Sequence, residues 1–185
     1  MSLMKTRFIT GLLLLVATAG LAFASTTFAR PDDNDQPLEL PSPACDELRV
    51  PAGNELAFHR YARGVQIYRW NGSAWQFVAP SALLFADAGY QAQVGIHYAG
   101  PFWESNSGSS VKAVKIKECS PDANAIPWLL LQATLTNGPG AFSNVTFIHR
   151  VYTTGGKAPT YNGSVEGQSV EIPYTAVYYF YRAED

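Results

Sequence analysis

The sequence predicts an all-β protein: a single β-sandwich or small closed β-barrel of about 8–10 short strands, following an N-terminal signal peptide. Three observations carry that expectation. Beyond residue 45 apolar residues recur at every second position, and no long stretch shows the 3.6-residue period of an amphipathic helix. The chain's 15 Gly and 12 Pro break it at the close spacing of short strands joined by turns. The 185 residues are 47% hydrophobic and 15% charged, with 4 Trp, 10 Tyr and 10 Phe. That is enough apolar surface for one core, and it excludes a disordered chain. A formal net charge of −2, with no cluster of Lys and Arg, leaves no electrostatic footprint for nucleic acid.

Residues 1–24 read as the signal peptide. Lys5 and Arg7 precede an apolar run centred on Leu12, Leu13, Leu14, Leu15 and Val16. Small residues at Ala22 and Ala24 invite cleavage after Ala24, and Thr27 and Ala29 offer a second position after Ala29. An uncleaved anchor is the rival reading. Cleavage makes the protein secreted or periplasmic, with no stable membrane anchor. Residues 25–44, with Asp32, Asp33, Asp35 and several prolines, read as a flexible leader, and residues 45–185 as a single β domain. Cys45 and Cys119 are the only cysteines. Export makes a disulfide between them the favoured reading, with two free thiols as the alternative.

Within the domain, residues 48–61 supply one or two strands. Residues 65–70 and 75–78 form a hairpin across Asn71-Gly72-Ser73-Ala74, because Asn and Gly accept the positive φ a tight turn needs. Residues 91–98 alternate, with Ala92, Val94, Ile96 and Tyr98 apart from Gln91, Gln93 and His97. Residues 111–116 change parity midway, as a β-bulge would make them. Residues 126–135 are apolar on both faces and read as a central strand or a short buried helix. Residues 145–152 form another strand, with His149 on the face of Val145, Phe147 and Val151. In the last strand Val170, Ile172, Tyr174, Ala176, Tyr178 and Phe180 share one face.

The candidate chemistry is sparse. His59, His97 and His149 come from separate strands without metal-ligand spacing, so no metal site is expected. Residues 97–104 place His97, Trp103 and Glu104 around a Gly-Pro bend at a strand end, where sites are commonly built. His97 and Glu104 could act as general base and acid, with Trp103 as a stacking platform. There is no Gly-x-Ser-x-Gly elbow. Residues 138–143 lack the third glycine of a dinucleotide fingerprint, which disfavours a dehydrogenase and any nucleotide cofactor.

Six blocks in order resemble a known family: Gly64-Val65-Gln66-Ile67-Tyr68 with Trp75 following, Ala79-Pro80-Ser81-Ala82-Leu83-Leu84, His97-Tyr98-Ala99-Gly100-Pro101-Phe102-Trp103-Glu104, Ala125-Ile126-Pro127-Trp128-Leu129-Leu130-Leu131, Thr153-Thr154-Gly155-Gly156-Lys157-Ala158-Pro159, and Pro173-Tyr174-Thr175-Ala176-Val177-Tyr178-Tyr179-Phe180-Tyr181. Together they span roughly residues 51–182. The pattern is similar to that of a secreted bacterial and fungal family catalogued only as a domain of unknown function, number 3455. The resemblance implies export and one domain, and no established activity. Many relatives have cysteines where this chain has Trp70 and Asn162, which implies that these two positions lie within about 7 Å, the limit for a disulfide. Relatives often carry Asp where Ser107 stands.

Two functions are expected in order of weight. The first is a secreted β domain that binds a small molecule, glycan or envelope component without catalysis, through Gln66, Trp75, His97, Trp103, Glu104 and Arg150 and without a cofactor. The second is an extracytoplasmic hydrolase or lyase using His97 and Glu104. A structural or interaction role in the cell envelope, with protein partners unspecified, is the third.

Overall fold

The computed structural model describes residues 38–185. The expected signal peptide, both cleavage positions and the leader as far as residue 37 lie outside the described residues. A short 3-10 helix (Asp46–Leu48) precedes eight strands: β1 (Asn54–Trp70), β2 (Trp75–Phe85), β3 (Gln93–Tyr98), β4 (Phe102–Ser105), β5 (Ser110–Cys119), β6 (Trp128–Asn137), β7 (Val145–Gly155) and β8 (Ser169–Ala183). Each strand pairs antiparallel with the next, and β8 returns to pair with β1, so the sheet is a closed barrel. The choice between sandwich and barrel falls to β1. Its 17 residues pair with β8 along almost their whole length and with β2 along their second half.

The region expected to hold one or two strands over residues 48–61 instead begins with the 3-10 helix and continues into the single long strand β1. The β1–β2 hairpin forms as its turn chemistry requires. Trp70 pairs with Trp75, Asn71 Oδ1 accepts from the backbone N–H of Ser73 and Ala74 at 3.0 and 2.8 Å, and Gly72 has φ +91°. The parity change in β5 is a pair of register shifts, and residues 128–137 are a strand, not a helix. In β7 a register shift between Val145 and Phe147 separates residues expected on one face. Val145 packs in the barrel interior, while Phe147 and Val151 join the outer cluster.

Alternation sorts the apolar residues into two cores. The interior core is built from Ala62, Leu84, Trp103, Val111, Leu131, Ile148 and Phe180, among others. Stacked and tilted contacts among Phe58, Phe142 and Phe180 at 4.8–5.8 Å fill the end of the barrel near the start of β1. The outer core lies on the far side of β6, β7, β8 and β1, where Tyr61, Trp128, Leu130, Val177 and Tyr179 are covered by Leu38, Leu40, Cys45, Leu48 and Val50. This N-terminal strap is tied down by the Cys45–Cys119 disulfide, with a Cα–Cα separation of 5.5 Å. The expected flexible leader over 25–44 therefore packs from Leu38 onwards. Leu38 and Leu40 lie along the outside of the sheet, where they cover side chains that would otherwise face water.

Gly64 sets how tightly β1 and β2 meet. A Cβ on Gly64 would run into the Ser81 carbonyl oxygen and the Ala82 Cα, so β1 and β2 meet there as closely as two backbones can. Gly64→Ala is expected to cost about 2 kcal/mol through forced strand separation. Urea unfolding would measure it, and an unchanged midpoint would refute the close-contact reading.

Candidate functional site

At the end of the barrel opposite the Phe58–Phe142–Phe180 cluster, the interior opens into a cavity of about 520 Å³. All eight strands contribute to its wall, together with residues 99–101 and Ile126 and Pro127. The apolar part is Phe77, Val78, Pro80, Ile126, Leu129 and Leu131, and the polar part is Gln66, Tyr68, His97, Arg150 and Tyr178 around the Trp103 indole. At the rim Lys115 and Glu118 pair with each other at 2.6 Å.

Strand register brings the polar residues together. His97 sits opposite Trp103 across β3 and β4, and the rings stack at 4.3 Å with 15° between planes. Tyr178 closes against both rings, at 5.2 Å from His97 and 5.4 Å from Trp103. Arg150 is the cross-strand partner of Tyr178 on β7 and β8, and neighbours on one sheet face stand close enough to interact directly. Gln66 enters from β1 opposite Pro80.

Hydrogen bonds fix the state of each group. The His97 Nδ1–H donates to the Phe102 carbonyl at 2.8 Å, so Nε2 carries the lone pair of a neutral imidazole. Burial pushes the His97 pKa down to about 3, the Phe102 bond opposes this, and the nearby Arg150 charge pushes further down. Burial likewise raises Tyr68, Tyr174 and Tyr178 above the ordinary phenol range, while Arg150 acts the other way on all three. Arg150 is thus the single positive centre felt by every titratable ring around the cavity. Its guanidinium is held by Nε and Nη2 donating to the Pro127 carbonyl at 3.2 and 2.9 Å.

The loop carrying Pro127 is itself well anchored. Thr153 Oγ1–H donates to the Ile126 carbonyl at 2.6 Å, and the Ile126 N–H donates to Gly155 at 2.9 Å. Tyr68 O–H donates to the Gly156 carbonyl at 2.7 Å. Gly156 has φ +77°, and a Cβ there would come within 3.1 Å of Tyr174, Ile126 and Gln66 at once. Only glycine lets this turn pass so close to the cavity wall.

Four of the six residues expected to contact a ligand, Gln66, His97, Trp103 and Arg150, line this one cavity. Two do not. Trp75 sits at the hairpin tip, where its indole N–H donates to the Tyr161 carbonyl at 2.8 Å and its ring meets Trp70 and Tyr161. It pins the loop before β8 and does not face the cavity. Glu104 lies opposite Ile96, on the outward parity of β4, and accepts from the Tyr98 hydroxyl at 2.9 Å. His97 faces inward and Glu104 outward, so the expected general base and acid do not form a pair.

Parity explains the error. Ile96, placed on the apolar face of its strand, is 37% exposed, while His97 on the polar parity is 3% exposed. At this end of β3 the inward residue is polar and its outward neighbour Ile96 is apolar, whereas Val94, nearer the start of the strand, packs against the interior core. Among the described residues no group of three or more His, Cys, Asp or Glu could hold a metal ion, and no helix is long and apolar enough to cross a membrane. His59 packs against Tyr61 and Tyr179. His149 donates Nε2–H to the Leu48 carbonyl at 2.6 Å and accepts the Tyr181 hydroxyl proton at Nδ1 across 3.0 Å. Gly163, next to Asn162, lies against the Trp70 side chain.

Among the polar residues of the cavity, sequence reasoning missed Tyr68 and Tyr178. Their signal was present: tyrosines at interior positions, among alanine and phenylalanine, bring hydroxyls into a core that apolar rings would fill without them. A family model described as "Protein of unknown function (DUF3455)" matches residues 51–182, which takes in nearly the whole barrel and leaves out the strap through Val50. No curated protein and no solved structure matches the chain.

Proposed function

The chain belongs to this family of unknown function, and from the cavity of its barrel we propose that it binds a small molecule there without catalysing its conversion. We place it in an extracytoplasmic compartment of a bacterium or fungus. The observation that carries the binding reading is the convergence of Gln66, His97, Trp103 and Arg150 on one cavity of about 520 Å³. Ligand sites of this size combine apolar walls with a few convergent polar groups that set orientation, and an eight-stranded barrel has an interior suited to one small ligand. The walls around Phe77, Ile126, Leu129 and Leu131 favour a compact molecule with an apolar body over a glycan. The Cys45–Cys119 disulfide favours an oxidising compartment, as does the signal-like start of the sequence. Catalysis has less support, because among the described residues the one carboxylate lining the cavity, Glu118, is paired with Lys115 at the rim, and Glu104 faces outward from His97.

Trp103 reports the test. Titration of the protein with decan-1-ol, decanoate and cellobiose, followed by tryptophan emission, is expected to give a saturable change with at least one of the two C10 compounds. Trp103→Phe, which keeps the aromatic packing, is expected to lose most of that change while its circular dichroism stays that of the parent. No saturable response to any of the three, with the parent folded, would overturn the binding reading. Because burial holds His97 neutral, with its pKa pushed down to about 3, and raises Tyr68 and Tyr178 above the ordinary phenol range, the affinity is also expected to stay within twofold between pH 6 and 9.

A further inference from the structure

We infer that the cavity takes the head of a monoanionic carboxylate with an apolar body, with Arg150 as its counter-ion and Trp103 Nε1–H and Gln66 Nε2–H as flanking donors. This rests on the binding reading above and names the chemical class of its ligand.

Three features carry it. The first is an unbalanced charge. Among the described residues no carboxylate pairs with Arg150, whose protein acceptor is the Pro127 carbonyl. A guanidinium has five N–H donors in one plane, and the hold on Pro127 uses two of its nitrogens. The remaining edge faces the Tyr178 hydroxyl, which interacts with it, and still has N–H donors to offer a carboxylate.

The second is a pair of buried donors. Gln66 and Trp103 are 2% and 1% exposed, both line the cavity, and both Gln66 Nε2 and Trp103 Nε1 have no hydrogen-bond partner within the protein. Leaving a buried donor unpaired costs about 1–3 kcal/mol, so two on one cavity wall are better accounted for by a ligand that accepts than by packing alone. The indole N–H can only donate, which makes an acceptor-rich head group the complement. His97 Nε2, a lone pair on a neutral ring, adds an acceptor suited to a hydroxyl beside the head group.

The third is the count of charges. Lys115 at the rim is already paired with Glu118, so one uncompensated positive charge faces the interior. One charge matches a carboxylate better than a dianionic phosphate, whose second charge would be desolvated without a partner. The apolar walls take the remainder of the molecule.

The test compares decanoate with decan-1-ol, which share a body and differ in the head, by isothermal titration calorimetry at pH 7.5. The parent is expected to bind decanoate at least tenfold tighter. Arg150→Gln is expected to bring the two within threefold by weakening decanoate alone, and Arg150→Lys to restore most of the preference. Arg150 also anchors the Pro127 loop, so Gln66→Leu is the second variant. It keeps that anchor and is expected to weaken decanoate severalfold while leaving decan-1-ol unchanged or tighter. Equal affinity of the parent for both compounds would overturn the carboxylate assignment and leave the binding reading standing. Binding of neither would overturn both, and a preference for decanoate that survives Arg150→Gln and Gln66→Leu would overturn the assignment to these residues.

Discussion

Lowering the pH from 7 to 4 is expected to remove on the order of 5 kcal/mol of folding stability, most of it through two histidines. His97 and His149 are buried and neutral, with pKa values pushed down to about 3 and about 4 by burial. In the unfolded chain both protonate near 6.5, the ordinary value for an imidazole. Above that pH neither state binds the protons and there is no penalty. Between 6.5 and the folded values the unfolded state takes up protons that the native state refuses, so stability falls as pH falls, by about 1.4 kcal/mol per histidine per pH unit. Below 3 both states are protonated and the slope from these groups ends.

The groups around each ring support this. His97 faces Trp103, Tyr178 and the Arg150 charge, with no acid among them. His149 faces Tyr181 and the Leu48 carbonyl. Asp46, held low chiefly by its hydrogen bond from Arg49, and Asp87, held low chiefly by the Ala92 N–H, act in the same sense at lower pH. Their stabilisation is present above the ordinary carboxylate pKa and is lost as pH falls through their depressed values. Thermal melts from pH 7 to 4 are expected to show a fall of about 10–20 °C, and His149→Gln is expected to halve it, since an amide N–H can still donate to Leu48. A melting temperature flat to pH 4.5 would sink the assignment.

How much of this could be read in the sequence depended on which interactions decide each feature. The β1–β2 hairpin was legible because Asn71 and Gly72 determine it locally. The bulges of β5 showed as a change of parity at residues 113–114. The last strand was legible because Tyr174, Ala176, Tyr178 and Phe180 keep one parity without interruption. Closure into a barrel was not, because it rests on β1 reaching both β2 and β8, and alternation along one strand says nothing about its neighbours. The strap was misread because prolines and aspartates resemble a linker. Leu38 and Leu40 matter only once an apolar face exists outside the sheet for them to cover.

The cavity divides the same way. Gln66, His97, Trp103 and Arg150, expected as ligand contacts, do meet on one cavity. Glu104 is adjacent to Trp103 in the chain, and that adjacency argues against a shared site: successive residues of a strand point to opposite faces. Distance along the chain suggested a pair, and the pleat separated it. Trp75 drew notice as an aromatic beside a turn, yet its indole N–H is already committed to Tyr161, whereas that of Trp103 is not. Which tryptophan has an uncommitted donor is settled by tertiary contacts alone.

Removing the disulfide by Cys45→Ala with Cys119→Ala is expected to cost about 4 kcal/mol, because the bridge spans a sequence separation of 74 residues and a loop of that size gives about 4–5 kcal/mol in the chain-entropy model. The loss has a structural address. Without the bridge the strap is held to the barrel by Leu38, Leu40, Leu48 and Val50, by the His149 bond to Leu48 and by a long Lys117–Glu47 ion pair at 3.9 Å, which is exposed and weak. Protonating His149 takes away its Nδ1 acceptor for Tyr181 and places a buried charge beneath the strap. In the double variant, acid is therefore expected to lift the strap before the barrel melts, uncovering Trp128 and Tyr179. Near pH 5 a hydrophobic dye should brighten and tryptophan emission should shift red while the far-ultraviolet dichroism of the barrel persists. The parent, with its bridge intact, should show these changes only together with unfolding. The cavity lies on the inner face of the sheet and the strap on the outer, so decanoate affinity at pH 7.5 is expected to stay within threefold of the parent. A double variant with the parent's denaturation midpoint and no dye response at pH 5 would mean that packing alone holds the strap. A loss of decanoate binding alongside strap release would mean that the two faces of the sheet are coupled.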